Sequence, residues 1–440
     1  MTESENYLKA VRAQYEELPY PRRNPEDEKK RLISTWGDRL DYLNHFGFEG
    51  RMKPAGFRVL DAGGGSGDAS VFLAEQLRDR DGHVVHLDLS EASIAVARER
   101  ARLRGLDNIE FVHASLLDLP ALGLGRFDYV VSTGVLHHLA DPKAGLDALK
   151  DCLEEDGLIK VMVYAPYGRR WVYHMQGLMR LYNAGLEKDD IAGQLAGAKE
   201  MMAALDGRAW YKALSNSVSD QKTMGDVGVF DLFLHSQDRA FSIPELYDFI
   251  EASGLVFHHF IPTPTRLSPV ALADSPVKRR IETLPLRAQQ AIMEMIDGEV
   301  KLHSCFAARR KKVLPSPCDP ELIPSFSQAP TGIEEAVRAQ LAKPDLAELK
   351  ITQKGVGIAA PLTGPFRALL SEIDGRRTIG EIGARAAAAT GLGREAAAGE
   401  FEKLFALFGE MEWILLRDRA LAPFPTKEEL QKRVSALYAS

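Results

Sequence analysis

A glycine-rich stretch, Val59–Ser70 (VLDAGGGSGDAS), carries residue types suited to holding a small molecule against the backbone. Gly63, Gly65 and Gly67 alternate within it, and the carboxylate of Asp61 precedes them. Glycine lets the chain turn with positive φ and lets a ligand approach the backbone closely. The stretch follows an apolar run and opens a helix-like one, which is the order of a strand, a turn and a helix. A bound ligand is therefore expected at this turn.

A dinucleotide would require the spacing G-x-G-x-x-G, with its pyrophosphate at the helix N-terminus. Counting from Gly63 puts Asp68 at the third glycine position, and counting from Gly65 puts Ser70 there. Neither frame completes the pattern. A carboxylate at Asp68 would also occupy the helix end that favours an anion, which is the wrong charge for a pyrophosphate. The spacing therefore disfavours a nicotinamide oxidoreductase.

S-adenosylmethionine suits the same turn better, because it has no phosphate and carries a sulfonium and an ammonium group. Asp61 offers these cationic groups a carboxylate. Asp88 ends the next apolar run (HLDLS) and is placed to accept hydrogen bonds from ribose hydroxyls. An acidic residue there also occurs in dinucleotide sites, so the glycine spacing discriminates rather than Asp88. Capping of nearby turns is the structural alternative for both aspartates.

The elements that would position these residues alternate regularly from Phe57 onwards. Short apolar runs alternate with helix-like stretches, which predicts an α/β fold with a parallel sheet and helices on both faces. The runs are nearly continuous in apolar residues, as strands buried on both faces are. They read FRVLDA, HVVHLDL, IEFVHA, FDYVVST and GLIKVMVYA.

Over about residues 50–310 the chain resembles the class I S-adenosylmethionine-dependent methyltransferase family. Four stretches match in order: VLDAGGGSGD, VVHLDLS, FVHASLLDLP, and FDYVVSTGVLHHLADP followed by LKDCLEEDGLIKVMVYA. The resemblance implies a seven-stranded, Rossmann-like, doubly wound sheet whose last strand is antiparallel. It also implies S-adenosyl-L-methionine as cofactor.

The resemblance carries over a set of cofactor-binding residues. In the third motif the usual aspartate to the adenine amine is replaced by Ser115, so Ser115 or the backbone of Leu116 takes that role. The fourth strand would pass Thr133 and Gly134 along the methionine end of the cofactor. The expected cofactor-binding residues are Asp61, Gly63, Gly65, Gly67, Asp88, Leu89, Ser115, Leu116, Thr133 and Gly134.

His137 and His138 follow the fourth strand, where a methyl acceptor could arrive. Histidine is the natural general base near neutral pH if the acceptor must lose a proton, so both are candidate catalytic residues. Packing beneath the cofactor is the alternative role for this pair.

Two further segments could bind the acceptor. Residues 166–238 are too long for an ordinary connection, and a helical lid insertion is expected there. His235 and Arg239 lie in its polar final stretch, which suits an acceptor site or a hydrogen-bonded hinge. Tyr20, in YEELPYP, resembles an N-terminal arm that closes over the cofactor in methyltransferases carrying a regulatory domain; packing is its other reading.

The chain is long enough for two or three domains. We expect an N-terminal arm over residues 1–50 and a methyltransferase domain over 51–313. A proline- and serine-rich linker is expected over 314–330. Residues 331–440 would form a small, mainly helical domain. It resembles winged-helix-type modules in LLSEIDGRRTIGEI, which suggests protein or peptide contact.

Composition limits the partners. The net charge is −7, which disfavours general affinity for nucleic acid or membrane surfaces. The three cysteines, Cys152, Cys305 and Cys318, form no CxxC pair, so neither a disulfide framework nor a metal site is indicated. The polar N-terminus and the lack of a long apolar run predict a cytoplasmic protein. A homodimer stays an open alternative.

The sequence therefore predicts a methyltransferase that acts on a nitrogen or oxygen nucleophile, on a peptide or protein side chain or on a small molecule. A non-catalytic scaffold that binds the cofactor and works through its C-terminal domain is the alternative from another class.

Overall fold

A seven-stranded sheet forms the centre of the molecule. The computed structural model describes residues 15–17, 19–187, 190–209, 211–212, 223–235, 238–261, 266–328, 332–353 and 356–438. The sheet strands are β1 (Arg58–Ala62), β2 (His83–Asp88), β3 (Ile109–His113), β4 (Phe127–Thr133), β5 (Leu153–Tyr164), β6 (Val256–Phe260) and β7 (Leu302–Ala308).

The strand order is β3-β2-β1-β4-β5-β7-β6, and β1 to β5 run parallel to one another. Strand β7 runs antiparallel to both β5 and β6. The predicted doubly wound sheet with an antiparallel last strand is confirmed. Each central strand is buried on both faces, because Leu60 and Val130 face one apolar core and Val59 and Val131 face another. This explains why the strands read as continuous apolar runs.

Helices cover both faces and follow the strands in the order expected of a parallel sheet. In the part that holds the seven-stranded sheet they are α1 (Leu40–Gly47), α2 (Asp68–Leu77), α3 (Glu91–Leu103), α4 (Leu119–Leu122), α5 (Pro142–Asp151), α6 (Arg170–Tyr182), α7 (Ile191–Ala204), α8 (Asp226–Phe233), α9 (Ile243–Ala252), α10 (Pro276–Glu282) and α11 (Leu286–Asp297). Helices α6, α7 and α8 occupy the segment predicted as a lid, and their apolar faces pack into one cluster around Trp171, Met175 and Phe233.

An N-terminal arm, residues 15–39, lies against α2 and α3 and leads into α1. A short 3-10 helix, Pro25–Lys29, carries Glu28 into the interior, where the side chain is 2 % exposed. Its carboxylate accepts hydrogen bonds from the guanidinium groups of Arg100, at 2.8 Å from Nε, and of Arg104. Both arginines are themselves buried, and their charges are balanced by Glu28 together with Asp68, which pairs with Arg100, and Glu75, which pairs with Arg104.

The C-terminal part has its own apolar core around Phe401, Phe408 and Trp413. Strand β8 (Leu322–Phe326) lies inside the segment predicted as a linker and pairs antiparallel with β11 (Ile414–Asp418). The remaining elements are β9 (Glu348–Gln353), β10 (Val356–Pro361), α12 (Ile333–Leu341), α13 (Gly364–Glu372), α14 (Ile379–Thr390), α15 (Arg394–Gly409) and α16 (Lys427–Leu437). The predicted domain limits stay predictions.

The C-terminal part packs directly against the part that holds the seven-stranded sheet. Leu416 of β11 donates its backbone N–H to Nδ1 of His45 in α1, at 2.9 Å, and its carbonyl accepts from the Asn44 amide at 3.3 Å. Burial lowers the pKa of His45 to about 3, so its ring is neutral and can accept this bond. In α16, Leu430 joins an apolar cluster with Leu32 of the arm and Phe72 of α2.

Among the helices in the described ranges, none has the length and apolar character needed to cross a membrane.

Replacing Glu28 by glutamine tests the attachment of the arm. The change leaves two buried guanidinium charges without their carboxylate, and removing one partner of a buried ion pair costs about 3–5 kcal/mol of unfolding free energy. Glu26→Gln is the matched control, because Glu26 lies on the same short helix and makes an exposed pair with Lys29. Urea denaturation should show a large loss of stability for Glu28→Gln and no shift for Glu26→Gln. Equal midpoints would contradict a clamped arm.

Candidate cofactor and acceptor site

A cavity of about 550 Å³ opens at the carboxyl ends of β1, β2, β4 and β5. This is the edge of an open α/β sheet at which ligands bind. Its walls come from the glycine-rich turn, the N-terminal arm, the ends of β4 and β5, and the lid.

Gly63 and Gly65 line the cavity with positive φ, at 78° and 54°. A Cβ atom on Gly63 would lie 2.4 Å from Cγ2 of Val135, and one on Gly65 would lie 2.6 Å from the carbonyl oxygen of Tyr20. Both positions are therefore closed to any side chain. Gly67 does not line the cavity. It begins α2 with φ of 88°, and its missing side chain makes room for Ala97, 2.7 Å from the Cβ position.

Asp88 both caps the turn and lines the cavity. Its Oδ2 accepts from the Gly65 N–H at 2.7 Å, and its Oδ1 accepts from the Ser90 N–H at 2.8 Å. Burial raises the pKa of Asp88, and these backbone donors act in the opposite direction. Capping of a turn and hydrogen bonding to ribose hydroxyls, which the sequence left as alternative roles for Asp88, are thus compatible. A carboxylate fixed by two N–H groups is a rigid acceptor for a ligand hydroxyl.

Asp61 forms part of the cavity wall and is only 2 % exposed. Ser70 donates its hydroxyl to Asp61 Oδ2 at 2.6 Å, and the same hydroxyl oxygen lies 2.8 Å from Nδ1 of His86. Burial raises the pKa of Asp61 to about 7, and the Ser70 hydrogen bond only partly offsets this. Asp61 can therefore change its charge near neutral pH.

The remaining expected cofactor residues also line the cavity. Leu89, Ser115 and Leu116 lie on one side, and Thr133 and Gly134 lie on the other. Ser115 Oγ accepts from the Leu117 N–H at 3.2 Å, so this serine caps a short helix as well.

Asp68, the carboxylate at the start of α2, is held by two arginines. Arg23 Nε lies 2.9 Å from its Oδ1, and Arg100 NH1 lies 2.8 Å from the same oxygen. Hydrogen bonding from Arg23 and the charges of both arginines lower the pKa of Asp68 against the effect of burial. The N-terminus of α2 is thus occupied by a fixed carboxylate, and this disfavours a pyrophosphate at the same place.

The arm closes one side of the cavity through backbone contacts. Ser66 donates its hydroxyl to the Pro21 carbonyl at 2.7 Å, and Ser90 donates to the Tyr15 carbonyl at 2.9 Å. The Glu16 carboxylate accepts from the Glu91 N–H at 2.9 Å, at the beginning of α3. Tyr20 lines the cavity, at the position where a covering residue was predicted.

The far end of the cavity has an aromatic and charged lining. Tyr15 donates its hydroxyl to Asp231 Oδ1 at 3.3 Å, and the guanidinium of Arg169 lies 3.5 Å from the ring centre of Tyr164. Burial raises the pKa of Tyr15 and of Tyr164 well above the usual value, so both keep their hydroxyl protons. The sequence analysis did not identify Tyr164 or Arg169 as site residues. The position of Tyr164 at the end of β5 was a usable signal, because the carboxyl ends of the parallel strands meet at this edge of the sheet.

The two histidines differ in access. His138 lines the cavity, whereas His137 is fully buried and does not. The His137 ring packs 4.0 Å from the Tyr164 ring and 4.1 Å from the His138 ring, and burial lowers its pKa well below the usual value. Of the two predicted catalytic histidines, His138 is therefore placed to contact a molecule in the cavity and His137 is not.

The acceptor residues predicted in the last stretch of the lid do not line the cavity. His235 stacks on His138 with ring centres 3.8 Å apart, and so supports the cavity wall from behind. Arg239 donates its backbone N–H to the His137 carbonyl at 3.1 Å, while its guanidinium lies 4.8 Å from the Phe241 ring centre. These two side chains therefore make packing contacts and do not reach an acceptor in the cavity directly.

Comparison with known proteins agrees with this geometry. Residues 53–207 match a family model described as a methyltransferase domain. An uncharacterised protein of Synechococcus is 29% identical over 310 residues, which cover 69% of this chain and 72% of that protein. The tRNA 5-carboxymethoxyuridine methyltransferase of Escherichia coli is 33% identical over 139 residues, or 31% of this chain and 51% of the enzyme. The match thus spans about half the length of that named relative.

The structure of PKMT2 from Rickettsia typhi in complex with AdoHcy has a similar fold, with a TM-score of 0.61 at 15% identity. It covers 87% of this chain, and the match covers 76% of that protein. The predicted methyltransferase activity, its cofactor and the fold are confirmed. The winged-helix resemblance of the C-terminal part stays a prediction.

Gly65→Ala tests the close approach of the arm to the turn. The added Cβ would meet the Tyr20 carbonyl, so the arm must move and S-adenosylhomocysteine should bind at least about tenfold more weakly, a change of about 1.4 kcal/mol. Gly56→Ala is the control, because Gly56 also has positive φ, at 68°, but no atom within 4 Å of its Cβ position. Isothermal calorimetry should find wild-type affinity for the control. Identical affinities for both variants would refute the steric argument.

The raised pKa of Asp61 predicts pH-dependent cofactor binding. Below about pH 7 the carboxyl is protonated, and above it the carboxylate can attract a cationic ligand, so affinity for S-adenosylmethionine should rise about tenfold from pH 6 to pH 8. Asp61→Asn removes this carboxyl but leaves the titration of the ligand's own amino group. Calorimetric titrations across this range should therefore show a steeper rise for the wild type. Parallel profiles would show that Asp61 does not change its charge on binding.

Proposed function

We propose that this chain, a class I S-adenosylmethionine-dependent methyltransferase, transfers the methyl group to a nitrogen or oxygen atom at the end of a peptide or protein side chain.

The observation that carries the proposal is the mixed lining of the cavity. Besides the expected cofactor residues, the lining includes Tyr15, Tyr20, Tyr164 and Asp231. Pockets of about 300–1,000 Å³ enclose one drug-sized ligand. A cavity of about 550 Å³ that accommodates the cofactor leaves room for a small reacting group. The tip of a side chain, presented from outside, fits that space.

Methyl transfer is an in-line displacement. A lone pair on the acceptor nitrogen or oxygen forms a bond to the methyl carbon while the carbon–sulfur bond breaks, and the sulfonium becomes the neutral thioether of S-adenosylhomocysteine. Positioning and exclusion of water can supply most of the acceleration. The arm and the lid are the parts of this chain that would exclude water.

The acceptor proton must leave if the nucleophile is protonated at neutral pH. His138 is the histidine that lines the cavity, so we assign it the role of general base. Asp231, held by the Tyr15 hydroxyl, would orient an N–H or O–H group of the acceptor. The three tyrosine rings suit the apolar stem of a side chain, and their faces also attract a cation.

Three other classes of acceptor or partner differ in how well they suit this cavity and the charge of the chain. A small acid, amine or phenol would also fit its far end. A nucleic acid, the acceptor in the name of the Escherichia coli relative, is disfavoured by the net charge of −7, because nucleic-acid binding draws on a basic surface. A membrane partner is disfavoured for the same reason.

Transfer of label from methyl-labelled cofactor to a fractionated extract of the source organism tests the acceptor class. Label that follows protein, and that is released as methylated amino acid on hydrolysis, supports the proposal. Label confined to small molecules would replace it with a metabolite acceptor. No transfer at all, despite calorimetric binding of S-adenosylhomocysteine, would favour a cofactor-binding scaffold.

Asp231→Asn tests the acceptor end once an acceptor is in hand. Loss of a charged hydrogen-bonding group costs about 1.5–3 kcal/mol, so kcat/KM should fall about 10- to 100-fold while the affinity for S-adenosylhomocysteine stays unchanged. Asp226→Asn is the matched control, because Asp226 lies on the same helix and makes a half-exposed pair with Lys199. Equal kcat/KM values for the two variants would remove Asp231 from the acceptor site.

A further inference from the structure

A cluster of metal-ligating side chains lies behind the acceptor end of the cavity. His137, His138 and Asp238 place one potential ligand atom each within 4.8 Å of one another. Both histidines are buried and Asp238 is partly buried. Surface clusters of acidic groups are common without any ion, but this cluster is not of that kind.

Two members of the cluster hold buried polar atoms without a hydrogen-bond partner in the described part of the chain. Both ring nitrogens of His137 and Oδ1 of Asp238 lack a partner in good hydrogen-bond geometry, although the Met162 backbone lies close enough to His137 to act on its pKa. More than nine in ten buried polar groups in proteins find a partner, so each exception requires a physical explanation. A bound ion is one such explanation, and it accounts for atoms of both residues at once.

The second carboxylate oxygen of Asp238 is held in place. Oδ2 accepts from the Gln176 amide at 3.0 Å and from Arg169 NH2 at 3.3 Å. Carboxylates that bind metals are commonly oriented in this way through the oxygen that faces away from the ion. The carboxylate is thus fixed with Oδ1 left over.

We propose that His137, His138 and Asp238 form a binding site for a divalent transition-metal ion. Two imidazoles and one carboxylate suit zinc, iron(II) or cobalt(II), whereas magnesium and calcium prefer oxygen ligands alone. Ligand bonds to zinc are about 2.0–2.2 Å long, so ligand atoms lie at most about 4.4 Å apart. The ligand atoms of the cluster all lie within 4.8 Å of one another, so rotation of the side chains by a few tenths of an ångström at most brings the widest possible pair within this limit.

The site would adjoin the acceptor end, because His138 also lines the cavity. Arg169 acts on the site in two opposite ways, because its charge opposes a nearby cation while its hydrogen bond holds Asp238 in place. The variants that test the site are therefore those of the ligands themselves. This proposal is independent of the acceptor class proposed above, but with the ion bound it replaces the general-base role of His138, because an imidazole that donates its lone pair to a metal cannot take up a proton.

Metal content of the full chain tests the proposal directly. The protein is stripped with a chelator, incubated with zinc or cobalt(II) chloride and desalted, and bound metal is then measured by elemental analysis. We expect close to one ion per chain in the wild type, and a visible absorption band for the cobalt form. His137→Gln and Asp238→Asn should lose most of this metal.

His83→Gln is the matched control, because His83 makes an exposed contact of 3.8 Å with Glu110 far from the cluster. It should retain wild-type metal content. Binding of S-adenosylhomocysteine reports whether each variant keeps its fold. A wild-type chain that retains no metal and shows no cobalt band overturns the proposal whatever the variants do. So does equal metal content in the cluster variants and the control.

Discussion

The buried carboxylate of Glu28, held between Arg100 and Arg104, is the interaction on which the architecture of the site depends. Arg100 also donates to the Ser66 carbonyl at 2.6 Å and to Asp68. One connected set of ionic contacts thus joins the arm, the glycine-rich turn and α3. Each charge is buried at a cost in solvation that only its partners offset. The arm is consequently fixed over the turn, and that position leaves no room for a side chain at Gly65.

The cavity is a compartment built from parts that lie far apart in sequence. The sheet supplies the floor, the arm one wall and the lid another, so the proposed acceptor end lies in the same cavity as the expected cofactor residues. The C-terminal part strengthens the same assembly. In α16, Arg433 bonds to the Glu75 carbonyl at 3.2 Å, and Gln431 lies 3.5 Å from Arg104. The segment that the sequence suggests as an appended module therefore supports the clamp on the arm.

The sheet, the glycine-rich turn and most cofactor contacts could be predicted because they depend on local order. A strand, a turn and a helix follow one another, and strand ends meet at one edge. Contacts over long separations left no such signal: nothing near Glu28 indicates that arginines 72 and 76 positions later will surround it. His137 and His138 are neighbours in sequence, yet only the side chain of His138 lines the cavity. Strand β8 was concealed because its five residues lie in a proline-rich segment.

Hydrogen exchange, measured with and without S-adenosylhomocysteine, tests most directly whether the cofactor binds beneath the arm. Amide protection should increase in the arm over residues 22–35, in the glycine-rich turn and around Asp88, while helix α10 exchanges equally in both states. Protection confined to the turn and to Asp88, with the arm unchanged, would contradict a cofactor enclosed by the arm.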